Sequence, residues 1–310
     1  MVKYSYQNLC QFDKILINGD EQVMNLRDYP RPFYAINQFC QAHCSELKGQ
    51  SFFFYMDGGY DYKLNFTGDN TLTWAINDDE PTEAVFECVK GDENTYLVDF
   101  DIVETLGTAK RYNELFVIDL DQRLVTRVTC HTGYNARFPY LIKMEYDFGA
   151  IVMEGKETPF IRHCFSSELI GTTVEWHWNF EMWTHHKYYD SDFYTLTWPD
   201  DSKAVQNLGG PFEMLPSHDD VTKVIKIKDT MYLFCLTEEF MERVLQGPVF
   251  RCNNMIFLQN YDRMYHAGRT FGSGQTPEGE IFPIRTLFGS FGNPIKLPDS
   301  VLYAENAYTV

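Results

Sequence analysis

The tetrapeptide Thr-Leu-Thr-Trp occurs twice in the chain, at residues 71–74 and again at residues 195–198. Each copy follows a run of strand-forming residues that begins with a glycine, Gly49 in the first copy and Gly171 in the second. A self-match of this kind predicts one β module that is built twice.

The match continues after the tetrapeptide. A Tyr-Leu pair in an apolar run follows at Tyr96 and at Tyr232, and a further apolar run opens with Asn113 and with Asn254. Short runs of strand formers separated by Gly, Asp and Asn turns are typical of antiparallel meanders, which close as barrels or sandwiches. The sequence therefore predicts a mainly β protein with two tandem antiparallel β-barrels.

The repeat also predicts the domain boundaries. We expect an N-terminal extension over residues 1–48, a first barrel over 49–150, a second barrel over 151–272 and a C-terminal extension over 273–310.

Two features of the extensions carry further predictions. Residues 33–47 place Tyr34, Phe39 and Leu47 near one helical face, and Gly49 suits a C-cap, so we expect an N-terminal helix. The apolar tail 303–310 predicts a docked C-terminal strap or an arm that contacts a second copy, so a homodimer is considered.

Composition excludes several partners. The 310 residues carry a formal charge of −18, which argues against binding nucleic acid and anionic membrane surfaces. No apolar run is long enough to span a membrane, and the first residues lack the apolar core of a signal peptide. The eight cysteines are therefore expected to be thiols in the cytoplasm.

The densest group of chemically active residues lies between Glu175 and Asp190. On a strand, His186 and Tyr188 share one face, because successive side chains alternate between the two faces. Histidine is the usual general acid or base near neutral pH, and tyrosine can donate a proton or orient a carbonyl. We expect His186, Tyr188 and the orienting carboxylate Glu238 to be catalytic.

Other side chains are expected to form the walls of a pocket or its rim. The expected substrate-binding residues are Trp176, Trp178, Trp183, Trp198, Asp99 and His131. Asp101 and Glu239 stand beside Asp99 and Glu238 at the ends of equivalent strands, where a half-buried carboxylate would have a raised pKa. The alternative is that these residues have no functional role, the carboxylates being solvated charges at strand ends and the aromatic residues part of the core. This alternative stays open.

Motifs for several chemistries are missing from the sequence. No P-loop, dinucleotide fingerprint or G-x-S-x-G elbow is present, which disfavours phosphoryl transfer, hydride transfer and serine hydrolysis. No zinc-type Cys and His spacing occurs, although His177, His186 and His218 could meet in space. We expect neither a metal nor a cofactor.

The second repeat resembles the MoaF family, and the first repeat resembles its N-terminal half more faintly. The likeness rests on residues 168–171, 186–188, 221–234, 254–257 and 269–272, and it covers roughly residues 49–272. This resemblance implies a lipocalin-like (calycin-type) β-barrel with a small-molecule pocket.

The leading functional expectation is a cofactor-free enzyme that acts on a small apolar or aromatic metabolite. Its chemistry would be of the acid–base type: isomerisation, cyclisation, or addition or elimination of water. The alternative is a non-catalytic carrier or sensor of the same kind of ligand. A scaffold with both barrels filled by side chains is a third interpretation.

Overall fold

The computed structural model describes residues 14–17, 20–23, 38–102, 111–133, 141–199, 217–238, 252–275 and 281–296. The chain divides into two compact units, Ala42–Cys164 and a second unit that combines Met1–Gln41 with Phe165–Val310. Each unit contains one closed eight-stranded antiparallel β-barrel, which confirms the predicted pair of barrels.

The first barrel is formed by consecutive strands, and its last strand pairs with its first. These strands are β3 (Ser51–Met56), β4 (Tyr60–Phe66), β5 (Thr71–Ile76), β6 (Thr82–Lys90), β7 (Thr95–Asp101), β8 (Tyr112–Asp119), β9 (Leu124–His131) and β10 (Lys143–Val152).

The second barrel has the same order and closes in the same way, by pairing of its last strand with its first. These strands are β12 (Thr173–His177), β13 (Trp183–Tyr188), β14 (Phe193–Thr197), β15 (His218–Lys228), β16 (Met231–Thr237), β17 (Cys252–Asn260), β18 (Tyr265–Gln275) and β19 (Ile281–Lys296). Within the described residues, three further short strands lie outside the barrels: β1 (Lys14–Ile17), β2 (Asp20–Val23) and β11 (Cys164–Phe165). Strand β19 extends the second barrel beyond residue 272, into the segment predicted as a C-terminal extension.

Every repeated sequence feature occupies the same strand of its barrel. The two Thr-Leu-Thr runs lie on the third strands, the two Tyr-Leu pairs on the fifth strands, and Asn113 and Asn254 on the sixth strands. Equivalent positions in the two barrels can therefore be compared residue by residue.

The predicted N-terminal helix is wrong for the residues that the structure describes. Residues 38–50 contain no helix, and residues 33–37 and the tail 303–310 lie outside the described part of the chain. The backbone N–H of Cys44 bonds to the carbonyl of Cys88 on β6 at 2.9 Å, instead of to a carbonyl one helical turn earlier. Leu47 is fully buried in the first core, so the apolar spacing reflects packing on the barrel.

A turn before the first strand is repeated in both barrels. Gly49 and Gly171 have φ angles of 79° and 94°, in the left-handed region that favours glycine. Their N–H groups bond to the carbonyls of Phe66 and Tyr188, each at 2.8 Å. Leu47 and Leu169, two residues earlier, belong to the two hydrophobic cores.

No helix in the described part of the chain is long and apolar enough to cross a membrane.

The strands form because apolar side chains alternate with polar ones, as in β13, where every second residue is buried. This alternation determines which side chains face each barrel interior.

Candidate functional site

Strand β13 divides its histidines between the two faces of the second barrel. His185 faces outward, and its Nε2 lies 2.9 Å from a Glu175 carboxylate oxygen. His186, the next residue, faces inward and is only 1% exposed. Tyr188 lies on the same inner face, as the alternation of a strand requires.

Aromatic rings enclose His186. Its ring centroid lies 5.0 Å from that of Tyr194, 6.2 Å from that of Phe234 and 6.1 Å from that of Trp178. Neither ring nitrogen of His186 has a hydrogen-bond partner among the described residues. Such orphaned polar atoms are rare in folded proteins, because each one costs free energy.

A second buried histidine, His266 on β18, completes this group. It is 0% exposed, and its ring stacks on Trp176 at 4.3 Å between centroids. Both of its ring nitrogens also lack a hydrogen-bond partner in the described structure. The Phe257 ring lies beside both histidines, 4.4 Å from His266 and 6.4 Å from His186. The sequence analysis did not identify His266, because it is the single histidine of its strand and belongs to no cluster of candidate residues.

Burial keeps both imidazoles neutral. Burial, together with the smaller effects of the neighbouring His185 and His218, lowers the pKa of His186 to about 3. Burial also lowers the pKa of His266 well below its usual range, with His186 as a second cause. A neutral imidazole offers one N–H donor and one acceptor nitrogen, so each ring can make two hydrogen bonds of opposite kind.

Tyr188 is anchored more firmly than His186. Its hydroxyl accepts a 2.7 Å hydrogen bond from Nε2 of Gln259, and Tyr261 donates to Oε1 of the same amide at 3.2 Å. Burial raises the pKa of Tyr188 to about 12, so the phenol is neutral at physiological pH. Tyr188 therefore offers a fixed hydroxyl beside His186, with ring centroids 6.3 Å apart.

Acidic groups approach this interior from β15 and β16. His218 is the first residue of β15, and its Nε2 lies 3.3 Å from Asp220 Oδ2. Both side chains are at most 2% exposed. Glu238 directly follows β16 and is half-buried, and Glu239 lies outside the described residues. Burial raises the pKa of Tyr194, and the charges of Asp220 and Glu238 raise it further.

The four tryptophans expected in the second-barrel site occupy different surroundings. Trp176 and Trp178 are buried in the core, and Trp198 packs against that core from a partly exposed position. Trp183 is on the outer face, where it stacks on His177 at 5.4 Å. The structure therefore groups Trp176 and Trp178 with His186 and Tyr188, and it leaves Trp183 outside.

The expected site residues of the first barrel are separated by the strand faces. Asp99 and Asp101 are buried on the outer face of β7, where the Asn113 amide donates to them at 2.6 and 3.0 Å. His131 lies at the end of β9 and stacks on Tyr112 at 5.3 Å.

His177, His186 and His218 cannot bind one shared metal ion, because they do not all lie on the same side of the barrel wall. His177 lies on the outer face of β12, where Nε2 is 2.7 Å from Glu175, and His186 faces the interior. Among the described residues, no group of three or more His, Cys, Asp or Glu side chains is placed to hold a metal ion.

Fold and site together define a protein of two β-barrels in which the second barrel has a polar aromatic interior. Residues 33–133 match the family model described as the MoaF N-terminal domain, which confirms the resemblance to MoaF. The match covers about a third of the chain and lies on the first barrel, whereas the sequence analysis placed the resemblance mainly on the second repeat. No curated protein matches the chain.

Proposed function

We propose that the second barrel binds a small, neutral, largely apolar or aromatic molecule in its interior, in the manner of a lipocalin-like carrier or sensor. One observation carries this proposal: His186 and His266 are fully buried, and their ring nitrogens have no hydrogen-bond partner in the described structure. A ligand with hydroxyl or carbonyl groups would supply the missing partners.

The fold itself does not require these histidines. Counting from Gly49 and Gly171, the first-barrel position equivalent to His186 is Leu64. Val125 is opposite Ile118 in the first barrel as His266 is opposite Gln259 in the second. The first barrel closes in the same topology with Leu64 and Val125, so the histidines are additions that cost stability.

The surroundings favour a ligand without charge. Both imidazoles stay neutral because burial lowers their pKa, and the nearby rings of Trp176, Phe257 and Phe288 present apolar faces. A charged ligand would lose its hydration without a paired charge next to these rings. Planar aromatic ligands can stack on such rings at a separation like that of Trp176 and His266.

Acid–base catalysis is the second candidate function, and one observation favours it. His218 and Asp220 form a buried pair with 3.3 Å between Nε2 and Oδ2, and the charge of His218 affects the pKa of His186. A carboxylate-paired histidine is a suitable general base. In this version His218 would move the proton, and His186, Tyr188 and Glu238 would orient a substrate for isomerisation, cyclisation or hydration without a cofactor.

A cytoplasmic location is part of the proposal. Cys44, Cys88 and Cys164 are thiols, which fits a reducing compartment.

The first test is binding of a neutral aromatic probe, N-phenyl-1-naphthylamine, followed by its fluorescence and by tryptophan quenching. We expect His186→Leu and His266→Val to weaken binding at least tenfold. His185→Gln, in the adjacent residue on the outer face, should leave binding unchanged. Equal affinity in wild type and the His186→Leu/His266→Val double variant would contradict the proposal.

The variant His218→Gln distinguishes the carrier hypothesis from the enzyme hypothesis. If the protein is a carrier, neither the wild type nor His218→Gln turns the ligand over, and the substitution alters only the affinity for the ligand. If it is an enzyme, the variant binds the metabolite found in a screen but turns it over at least about a hundredfold more slowly.

A further inference from the structure

We propose that Cys44 is a peroxide-sensitive thiol whose oxidation ends in a disulfide with Cys88. This site lies on the first barrel and does not depend on ligand binding in the second. The proposal rests on the backbone bond between the two residues and on the different exposure of their thiols.

The backbone brings the two cysteines together. The N–H of Cys44 donates to the carbonyl of Cys88 at 2.9 Å. In an antiparallel ladder, residues joined by such a bond have Cα atoms about 5.5 Å apart, which lies within the range of disulfides. The N–H of Cys88 donates to Nδ1 of His43, the residue before Cys44, at 3.3 Å, so the two segments lie side by side.

The two thiols differ in access and in acidity. Cys44 is partly exposed, and Cys88 is fully buried in the first core. The Cys88 side chain and the backbone N–H of Glu46 lower the pKa of Cys44 to about 6, against the opposing effect of burial. Burial raises the pKa of Cys88 well above its usual range. Cys44 is thus the accessible thiolate, and Cys88 is the protonated thiol behind it.

Several titratable groups surround Cys44 and influence its charge. Lys90 lowers the pKa of Cys44, and the Glu46 carboxylate raises it. The Lys90 ammonium is itself held 2.6 Å from Glu46. Among the described residues, His43 and Tyr96 also interact with Cys44.

The chemistry balances with a peroxide as the oxidant. The Cys44 thiolate attacks one peroxide oxygen, an S–O bond forms, the O–O bond breaks, and the departing hydroxide takes a proton to become water. The Cys88 sulfur then attacks the Cys44 sulfur, the S–O bond breaks, and the second hydroxide leaves as water with the Cys88 proton. Two thiols lose two electrons in total, and one hydrogen peroxide becomes two waters.

The second barrel shows that this pair is not a requirement of the fold. At the equivalent position the N–H of Ser166 donates to the carbonyl of Val224, also at 2.9 Å. The repeat therefore keeps the backbone bond and replaces both thiols. Cys44→Ser and Cys88→Val consequently introduce side chains that the same local structure already accommodates.

The experiment treats the reduced full-length protein with a small excess of hydrogen peroxide and maps peptides under non-reducing conditions. We expect a Cys44–Cys88 cross-link in the wild type. In Cys88→Val we expect sulfenic acid at Cys44, trapped by dimedone, and in Cys44→Ser neither product. Cys164, an exposed thiol, is the internal control and should be alkylated by iodoacetamide about tenfold more slowly than Cys44 at pH 6.

Two results would overturn the proposal. One is a wild-type peptide map without the Cys44–Cys88 cross-link after treatment that oxidises Cys164. The other is alkylation of Cys44 no faster than that of Cys164 at pH 6. Neither measurement depends on a variant, so a folding defect in Cys88→Val cannot obscure the outcome.

Discussion

The two barrels share one strand order and one set of turns, and they place their buried polar groups at different positions. In the first barrel Arg127 and Glu114 form a two-bond ion pair inside the barrel, with N···O distances of 2.7 and 2.6 Å. Arg127 also donates to the Tyr60 hydroxyl at 2.6 Å. The positions equivalent to Arg127 and Glu114 in the second barrel are Gly268 and Met255.

In the second barrel, buried polar side chains stand where the first barrel has apolar ones. His186 and His266 occupy positions where the first barrel has Leu64 and Val125. In the first barrel Tyr62 also has a buried hydroxyl without a partner in the described structure, but its ring serves as a platform under Arg127, 5.2 Å away. Arg127 and Glu114 are hydrogen-bonded to their own neighbours, whereas the ring nitrogens of His186 and His266 have no partner among the described residues. This difference is the reason why we propose the ligand site in the second barrel.

The largest expected effect comes from breaking the ion pair of the first barrel. Glu114→Met inserts the residue found at the equivalent place and leaves a buried guanidinium without its carboxylate, since Arg127 and Glu114 are 16% and 4% exposed. We expect the free energy of unfolding, measured by urea denaturation, to fall by about 3–5 kcal/mol.

The double variant Glu114→Met/Arg127→Met is the control. Because it removes both charges, it should recover most of the lost stability. A single variant that loses less than about 1 kcal/mol would show that the pair is already exposed to water.

The next effect tests what the barrels share. Leu47→Ala and Leu169→Ala each remove a buried side chain from the repeated turn, and both residues are at most 2% exposed. We expect each to lower the free energy of unfolding by about 2–5 kcal/mol, with similar values for the two. A large effect in one barrel only would mean that the turns are not equivalent.

A smaller effect is a dependence of stability on pH that comes from the second barrel. His186 has its pKa lowered to about 3 in the folded state, whereas the unfolded chain takes up a proton near the usual pKa. The unfolded state therefore binds more protons as the pH falls below about 6.5, and stability is lost between that pH and about 3. From pH 7 to pH 5 we expect His186 to account for a loss of about 2 kcal/mol.

The comparison with His186→Leu isolates this contribution. The variant should be more stable than the wild type at pH 7, because it removes unsatisfied buried nitrogens, and its advantage should grow at pH 5. His185→Gln should follow the wild type. An advantage of His186→Leu that does not change with pH would contradict the burial of a neutral His186.

The barrels could be predicted from the sequence for two reasons. Apolar residues recur at every second position of a strand, and the internal repeat identifies equivalent strands in the two halves. The sequence also placed His186 and Tyr188 on one face, since alternation needs no tertiary information. The helix over residues 33–47 failed because the same apolar spacing suits a turn that packs Leu47 into a barrel. The signal against a helix was Ser-Glu-Leu-x-Gly, present at 45–49 and again at 167–171.

The rest of the site could not be read from local sequence. His266 and His186 lie 80 positions apart in the chain, and only the barrel brings both next to Phe257. The pKa of His186 depends on how deeply the fold buries it, which no motif encodes. Alignment of the two repeats would have shown a histidine opposite Leu64 and another opposite Val125.

The most direct test of the ligand site is a nitrogen-15 NMR spectrum of histidine-labelled protein, recorded with and without N-phenyl-1-naphthylamine. His186→Leu and His266→Val assign the two buried resonances. We predict neutral imidazoles for both from pH 7 to pH 4.5, and shifts of both on addition of the probe, with His185 unaffected. Titration of His186 near pH 6.5, or probe-induced shifts that spare both buried histidines, would contradict a binding site inside the second barrel.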